Sequence, residues 1–160
     1  MRRMERRSLT GWPYYGLALF VFILDRATKA WVVRTLSLGE TIPLWPGVFH
    51  ITAHENAGAA FGLLQGARPL FLFLTVGVVA GLLWMLPQAA RRSPFEASAY
   101  GLILGGALGN FVDRAATGRV VDFLDVRMIH YPIFNVADSA ITVGAGLLAW
   151  HFLVRRREAG

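Results

Sequence analysis

Four long apolar runs dominate the pattern of hydrophobic and polar positions along the chain. They cover residues 12 to 33, 69 to 87, 95 to 112 and 133 to 154. Each run is close to the ~20 residues that a helix needs to cross ~30 Å of hydrocarbon. The pattern therefore predicts an all-α membrane protein with four transmembrane helices, built as one integral membrane domain over residues 1 to 160.

Two more polar segments, residues 34 to 68 and 113 to 132, connect these runs on one side of the membrane. In the first segment, Thr41 to Pro43 and Val48 to Thr52 contain the β-branched and aromatic residues that favour strands. The sequence therefore predicts a small extracytoplasmic β-sheet, a cradle on the membrane surface, between the first and second helices.

Basic residues flank the apolar runs and predict the orientation of the chain. They lie before the first run, between the second and third, and after the fourth: Arg2, Arg3, Arg6, Arg7, Arg91, Arg92, Arg155, Arg156 and Arg157. By the positive-inside rule, both termini are expected to be cytoplasmic and the sheet to lie outside. The net charge of +6 is confined to these flanks, which favours membrane lipid headgroups, and not nucleic acid, as its partner.

The composition agrees with a membrane protein and excludes several chemistries. Hydrophobic residues make up 55% of the chain and charged residues 16%, which is more apolar than a typical soluble domain. There is no cysteine, so the chain has no disulfide, thiol nucleophile or thiolate metal site. The first run follows a basic start, as an export signal does, but it lacks a small-residue cleavage site and we expect it to be retained.

Polar side chains within three of the apolar runs and in the second connection are expected to gather at one depth. Asp25 lies about 20 Å from the inner edge of the first helix, and Lys29 is one turn further out on the same face. Eight such side chains converge just beneath the outer surface: Asp25, Lys29, Asn110, Asp113, Arg114, Asp122, Asn135 and Asp138. Because an ionisable group in hydrocarbon costs at least about 2.5 kcal/mol, this convergence indicates a functional site.

Structural roles are the alternative for each of these carboxylates. Asp25 and Lys29 are spaced as an i,i+4 ion pair, and Asp113 adjoins Arg114. Asp122 and Asp138 are possible cap or loop carboxylates without an obvious cation. Glycines spaced four residues apart in the second and third runs predict close helix packing, at Gly77, Gly81, Gly101, Gly105 and Gly109.

Two carboxylates in a low-dielectric site share one proton and can act as base and acid toward water, as peptide hydrolysis requires. Asn56, Asn135 and Arg114 are candidate donors to the oxyanion. The residues alone leave open whether Asp113 or Asp122 belongs to the pair. The sequence does not favour a zinc protease. The segment that begins at His54 has a glycine, Gly58, at the position where the zinc-protease motif needs its second histidine.

Four separate segments resemble the lipoprotein signal peptidase (signal peptidase II) family. They are Asp25 to Lys29 (DRATK), Asn56 to Gly62 (NAGAAFG), Gly105 to Phe123 (GGALGNFVDRAATGRVVDF) and Phe134 to Asp138 (FNVAD). All four occur in the family's order, on the predicted spans and at one depth. This agreement is far more specific than any one segment alone.

The resemblance implies that Asp122 and Asp138 are the catalytic pair of an aspartic endopeptidase. It also implies eight substrate-binding or supporting residues: Asp25, Lys29, Asn56, Gly58, Asn110, Asp113, Arg114 and Asn135. The implied substrate is a pre-lipoprotein carrying diacylglycerol on a cysteine, cleaved just before that cysteine. The implied location is the bacterial cytoplasmic (inner) membrane, with the active site near the outer face, no metal or organic cofactor, and sensitivity to globomycin-type inhibitors.

Two other classes of function fit parts of the pattern. A small proton- or ion-coupled transporter would also place Asp, Lys and Arg inside the membrane. It would need a polar path through both halves, whereas the inner halves of the predicted helices are nearly free of charge. A noncatalytic scaffold assembled through the glycine faces would leave the carboxylates unexplained.

Overall fold

The computed structural model describes residues 11 to 58, 64 to 129 and 131 to 158, with side chains to Arg155. The first basic cluster, the rest of the NAGAAFG motif after Gly58, and His130 lie outside the described residues. So do the side chains of Arg156 and Arg157.

Four long helices form the body of the molecule. They are α1 (Trp12–Thr35), α2 (Arg68–Arg92), α3 (Pro94–Thr117) and α4 (Val136–Glu158), with lengths of 23 to 25 residues. They coincide with the four apolar runs to within a few residues at each end, although α4 begins three residues after the predicted start at residue 133. The prediction of four long helices is therefore confirmed. Among the described helices, α2 and residues Val136–Arg155 of α4 are apolar enough, over sufficient length, to cross a membrane.

Local signals account for the tight connection between α2 and α3. Ser93 alone separates them, and its hydroxyl accepts a hydrogen bond from the Glu96 backbone N–H at 3.2 Å. Pro94 follows at the first helical position, where its missing N–H costs nothing. At its other end, α3 stops at Gly118, whose φ of +78° suits a residue without Cβ.

Helix α3 occupies the centre and packs against each of the other three helices. Its glycines allow this close approach. A Cβ at Gly101 would lie 2.8 Å from the Tyr14 carbonyl of α1, and a Cβ at Gly106 would lie 2.9 Å from Ile141 of α4. Such distances exclude any larger residue, so the predicted packing role of the α3 glycines is confirmed.

The same prediction is wrong for α2. Within the part of the chain that the structure describes, nothing lies within 4 Å of a Cβ built on Gly77 or Gly81. This helix meets α3 nearer its C-terminal end, where Leu86 and Ala90 are almost completely buried. Glycines four residues apart therefore indicate a close helix contact only where another helix packs against that face.

A three-stranded antiparallel sheet lies beyond the ends of the helices. It consists of β1 (Thr41–Trp45), β2 (Phe49–Asn56) and β3 (Val120–Val126), in that order. Strands β1 and β2 confirm the predicted sheet. The third strand, β3, comes from the connection between α3 and α4, so the sheet is not confined to the segment between helices 1 and 2 in which it was predicted. Without β3, one edge of β2 would be left unpaired.

The sheet is joined to the helices through a small apolar core. Ile51 and Phe123 pack with Val32 and Leu36 at the end of α1, and all four are at least 92% buried. The pairing of β2 with β3 also contains a bulge. Ile51 pairs with Leu124 but His54 pairs with Asp122, so β2 has one residue more than β3 in this interval. A bulge changes the direction in which the side chains of its strand point. This bulge lies next to the buried carboxylate of Asp122.

Candidate active site

Asp122 projects from β3 into the interior and is 2% exposed. The Asn135 side-chain amide donates to its Oδ1 at 2.6 Å, and the Asn56 amide donates to its Oδ2 at 3.2 Å. Among the described residues, no cation forms a salt bridge with this carboxylate. Asp122 is therefore held by neutral donors.

Asp138 lies in the first turn of α4, three residues after Asn135, and these two residues form a reciprocal cap. The Asp138 N–H donates to Asn135 Oδ1 at 2.8 Å, and the Asn135 N–H donates to Asp138 Oδ2 at 3.3 Å. The alternative role of Asp138 as a helix cap is thus also present. Its other oxygen, Oδ1, accepts from the Asn110 amide at 2.7 Å and takes no part in the cap.

Asp122 and Asp138 line the same cavity of about 220 Å³. The predicted site residues Asn56, Gly58 and Arg114 line it as well. The remaining wall is largely apolar or aromatic: Val120, Tyr131, Pro132, Ile133, Phe134, Ile141 and Thr142. The cavity thus combines two carboxylates with amide and guanidinium donors in one partly closed space.

The pKa of Asp122 is raised to about 7, first by burial and then by the negative charge of Asp138. Hydrogen bonds from Asn56 and Asn135 oppose this increase. Asp122 can therefore retain a proton near neutral pH beside a partner at the N-terminus of α4, where the helix dipole favours negative charge. The arrangement can supply an acid and a base to one water molecule.

Arg114 is the cation that faces this cavity. Its guanidinium donates to the Gly58 carbonyl at 3.2 Å and lies over the Phe71 ring, 4.6 Å from the centroid. The expected ion pair between Asp113 and Arg114 is not formed. Adjacent residues of a helix point in directions about 100° apart, so these two side chains face different neighbours.

Asp113 belongs to a separate buried ion cluster. Lys29 Nζ lies 2.8 Å from Asp25 Oδ2 and 2.8 Å from Asp113 Oδ2, and Arg26 also pairs with Asp113. The predicted Asp25–Lys29 pair is therefore present. The structure places Asp113 in this cluster and Asp122 in the cavity with Asp138, a distinction that the residues alone did not make.

Asp25 also holds α4 in place. Its Oδ1 accepts a hydrogen bond from the Ala137 backbone N–H at 3.0 Å, one residue before Asp138. A Cβ at Gly109 would lie 2.5 Å from Asp25 Oδ2, so only glycine leaves room for this carboxylate. The ion cluster thereby connects α1 to the first turn of α4.

A second, mainly apolar cavity of about 320 Å³ also reaches Asp138. It is lined by Val126, Ile129, Tyr131, Phe134, Asp138, Ser139, Thr142 and Val143. Tyr131 and Phe134 border both cavities and pack edge to face, with ring centroids 5.6 Å apart.

Sequence reasoning missed this aromatic pair and the role of Arg26. Phe134 lies within a recognised motif, which was the available signal, but its backbone pairing with Leu124 in β3 is a tertiary contact. Arg26 follows Asp25 in the chain and reaches Asp113, 87 residues away. No local pattern indicates such a partner.

Solved structures give the class of protein that shares this fold. The chain matches a bacterial membrane enzyme solved in meso at 2.3 Å, with a TM-score of 0.88, 35% identity and coverage of 92% of both chains. A second bacterial membrane enzyme, solved at 1.9 Å, matches with a TM-score of 0.81, 38% identity and coverage of 88% of this chain and 92% of the other. The chain thus shares the fold of bacterial membrane enzymes.

Sequence comparisons identify the family. The model of signal peptidase (SPase) II matches residues 17–154. The lipoprotein signal peptidase of Brevibacillus brevis is 50% identical over 135 residues, covering 84% of this chain and 91% of that protein. The lipoprotein signal peptidase of Bacillus subtilis is 43% identical over 137 residues, covering 84% and 89%. The chain belongs to the signal peptidase II family, whose members remove signal peptides from prolipoproteins.

Proposed function

We propose that this protein is an intramembrane aspartic endopeptidase that removes the signal peptide from diacylglyceryl-modified pre-lipoproteins, cleaving before the lipidated cysteine. The observation that carries the proposal is the meeting of Asp122 and Asp138 in one cavity. Each carboxylate is held by amide donors at 2.6 to 3.3 Å. Neither is neutralised by a salt bridge within the described part of the chain.

The two aspartates have different roles in the proposed reaction. Asp138, at the positive end of α4, is the charged base, and Asp122, whose pKa is about 7, is the protonated acid. Asp138 takes a proton from water as the water oxygen bonds to the scissile carbonyl carbon. Asp122 gives its proton to the departing amine as the C–N bond breaks. Transfer of the proton from Asp138 to Asp122 then restores the starting state.

Donors around the cavity would stabilise the negative oxygen that forms on the attacked carbonyl. Arg114 carries the positive charge nearest to the cavity, and its contacts with Gly58 and Phe71 orient the guanidinium. The Asn56 amide lines the same space. Preorganised donors of this kind are typically among the largest contributions to acyl-transfer catalysis.

We further propose that all four helices cross the bacterial inner membrane, with both termini cytoplasmic and the cavity near the outer face. Asp25, Arg26 and Lys29 make α1 less apolar than α2, and these residues serve the internal ion cluster. Leu19, Phe20 and Ile23 of α1 are 55 to 62% exposed. An exposed apolar face of this kind suits contact with lipid.

The two cavities suggest how a lipidated peptide is bound. The cavity with both carboxylates suits the scissile peptide, and the apolar cavity beside Asp138 suits the aliphatic part of the substrate. Val143 and Ile129 of the apolar cavity are 53% and 61% exposed, so this cavity opens to the side. Globomycin-type inhibitors would compete for the same space. The comparisons lend no support to the transporter alternative.

Cleavage of a lipidated pre-lipoprotein by the purified protein in detergent tests the proposal. Asp122→Asn and Asp138→Asn should each lower turnover about 10²- to 10⁴-fold, the contribution that a general acid or base typically makes. Asp125→Asn is the matched control, because this carboxylate lies in the same strand and is 8% exposed but does not line the cavity. A dead Asp113→Asn together with an active Asp122→Asn would show that the pair is assigned to the wrong aspartate.

The pH dependence provides an independent test. Because the pKa of Asp122 is about 7, activity should decline as pH rises through that value and the acid loses its proton. It should also decline at acid pH when the base is protonated, giving a bell-shaped profile. Chelators should leave the profile unchanged. Loss of activity with EDTA that zinc restores would contradict the two-aspartate mechanism.

A further inference from the structure

The three asparagines around the carboxylate pair share one feature. Each has its amide oxygen held by an N–H donor: Asn56 by the Gly58 backbone at 2.9 Å, Asn135 by the Asp138 backbone at 2.8 Å, and Asn110 by Lys29 Nζ at 2.9 Å. An amide carries oxygen on one side and NH₂ on the other. Holding the oxygen therefore determines where the NH₂ group points.

Two of these asparagines are held by backbone groups close to them in the chain, but Asn110 is held by a charged side chain 81 residues away. Lys29 is 1% exposed. It has three donors and no acceptor, so it cannot tolerate the Asn110 NH₂ group in place of the oxygen. The Asn135 amide donates to the same oxygen at 3.2 Å and favours the same orientation.

Lys29 has three donors, and three acceptors lie within reach of them. Its Nζ lies 2.8 Å from Asp25 Oδ2 and 2.8 Å from Asp113 Oδ2. It also donates to Asn110 Oδ1 at 2.9 Å. The NH₂ group of Asn110 in turn donates to Asp138 Oδ1 at 2.7 Å.

We propose that Lys29 is a positioning residue that holds the Asn110 amide with its NH₂ group toward Asp138. Lys29 does not line the cavity and does not contact Asp138 directly. Its hydrogen bond to Asn110 keeps one oxygen of the base in a set position, while the other oxygen takes part in the helix cap. This inference rests on the proposed role of Asp138 as base.

The first test is Asn110→Asp, which keeps the shape of the side chain. One carboxylate oxygen can still accept from Lys29, but the other presents a lone pair and negative charge to Asp138. We expect kcat to fall about ten- to a hundredfold, the effect of losing a hydrogen bond to a charged group. Because Lys29 already pairs with Asp25 and Asp113, the added carboxylate is expected to lower the unfolding temperature, and kcat is therefore measured at a temperature where the variant remains fully folded. Activity within about twofold of wild type would overturn the proposal.

The second test is a double-mutant cycle between Lys29→Met and Asn110→Ala. It is made in an Asp25→Asn background, because Lys29→Met alone would leave a buried carboxylate without its cation, which is strongly destabilising. Asp113 keeps Arg26 as its partner throughout. With Asn110 present, Lys29→Met should reduce kcat about ten- to a hundredfold. With Asn110→Ala already present, it should reduce kcat less than about twofold.

Equal losses in both arms of the cycle would mean that Lys29 is merely structural, and the positioning role would be wrong. Thermal unfolding of all four proteins in the same detergent shows whether folding contributes to the differences. The outcome is separable from the proposed function. An active Asp138→Asn enzyme would refute the two-aspartate mechanism, whereas an inactive Asp138→Asn enzyme with an additive cycle would refute only the role of Lys29.

Discussion

Replacing Asp122 with asparagine should abolish cleavage and yet stabilise the protein at alkaline pH. Asp122 is 2% exposed, and its pKa is raised from 3.8 to about 7 by burial and, second, by the charge of Asp138. Because folding raises this pKa, the folded state binds the proton more tightly than the unfolded chain does. Stability contributed by this group is therefore present below pH 3.8 and is lost as pH rises to about 7.

The size of the effect follows from the two pKa values. A rise in the Asp122 pKa from 3.8 to about 7 destabilises the folded wild-type protein by about 4 kcal/mol at pH 8. The Asp122→Asn variant has no charge at this position and therefore lacks this destabilisation. The variant also loses an acceptor. Both oxygens of Asp122 accept hydrogen bonds from amide groups, those of Asn135 and Asn56, whereas one side of the replacement amide would be an NH₂ group. That mismatch costs about 1–3 kcal/mol at every pH.

The two contributions predict a change of sign. At pH 4 the Asp122→Asn protein should be less stable than wild type by about 1–3 kcal/mol, and at pH 8 it should be more stable by about 1–3 kcal/mol. Each kcal/mol shifts the unfolding temperature by about 2–4 °C in a chain of this size. Tryptophan fluorescence during thermal unfolding in detergent, recorded from pH 4 to pH 8, measures the difference.

Asp125→Asn is the control for this measurement. Burial acts to raise the pKa of Asp125, but hydrogen bonds from Thr52 and Arg127 outweigh it and lower the pKa below 3.8. The stability contributed by Asp125 is therefore complete above pH 3.8 and is lost only at lower pH, so its variant should show a flat difference from pH 5 to pH 8. A difference that is equally flat for Asp122→Asn would refute a raised pKa and remove the proposed acid.

Three further predictions concern packing, substrate binding and topology. Gly106→Ala should lower the free energy of unfolding by about 1–3 kcal/mol, because the new methyl group collides with α4. Gly77→Ala is the control and should leave the unfolding temperature unchanged or slightly higher. Equal effects of the two substitutions would contradict the described packing of α3. Val143→Trp should fill the apolar cavity and raise KM for long-chain diacylglyceryl substrates about tenfold. The KM for short-chain substrates should not change. An equal rise for both substrates would mean that the cavity binds the peptide. Cysteines introduced at Ser8 and Ser37 should react with an impermeant thiol reagent from opposite sides of the membrane, and labelling from one side would contradict the proposed topology.

Much of the architecture was predictable from local pattern. The four long apolar runs correspond to four helices, and a helix is the structure in which a single apolar segment forms all its backbone hydrogen bonds within itself. Strands β1 and β2 followed from β-branched residues around a turn. The i,i+4 spacing of Asp25 and Lys29 predicted their ion pair, since it depends only on helix geometry.

The remaining features depend on contacts that are distant in the chain. Gly77 and Gly106 lie in similar apolar sequence, but only Gly106 has a helix against it. Residues 120 to 126 (VVDFLDV) are rich in the β-branched and aromatic residues that favour a strand, but their pairing with β2 is a contact between segments distant in the chain.

The separation of Asp113 from Asp122 was also decided by the tertiary structure. Asp113 lies on a face of α3 that meets Lys29 and Arg26. Asp122 follows the left-handed turn at Gly118 and pairs across the sheet opposite His54, beside the bulge in β2. From the sequence, carboxylates in apolar segments could be expected to serve a site or an internal pair, because burying charge is costly wherever it occurs. Only the packing of α1, α3, α4 and β3 determines which carboxylates pair with cations and which lie beside each other.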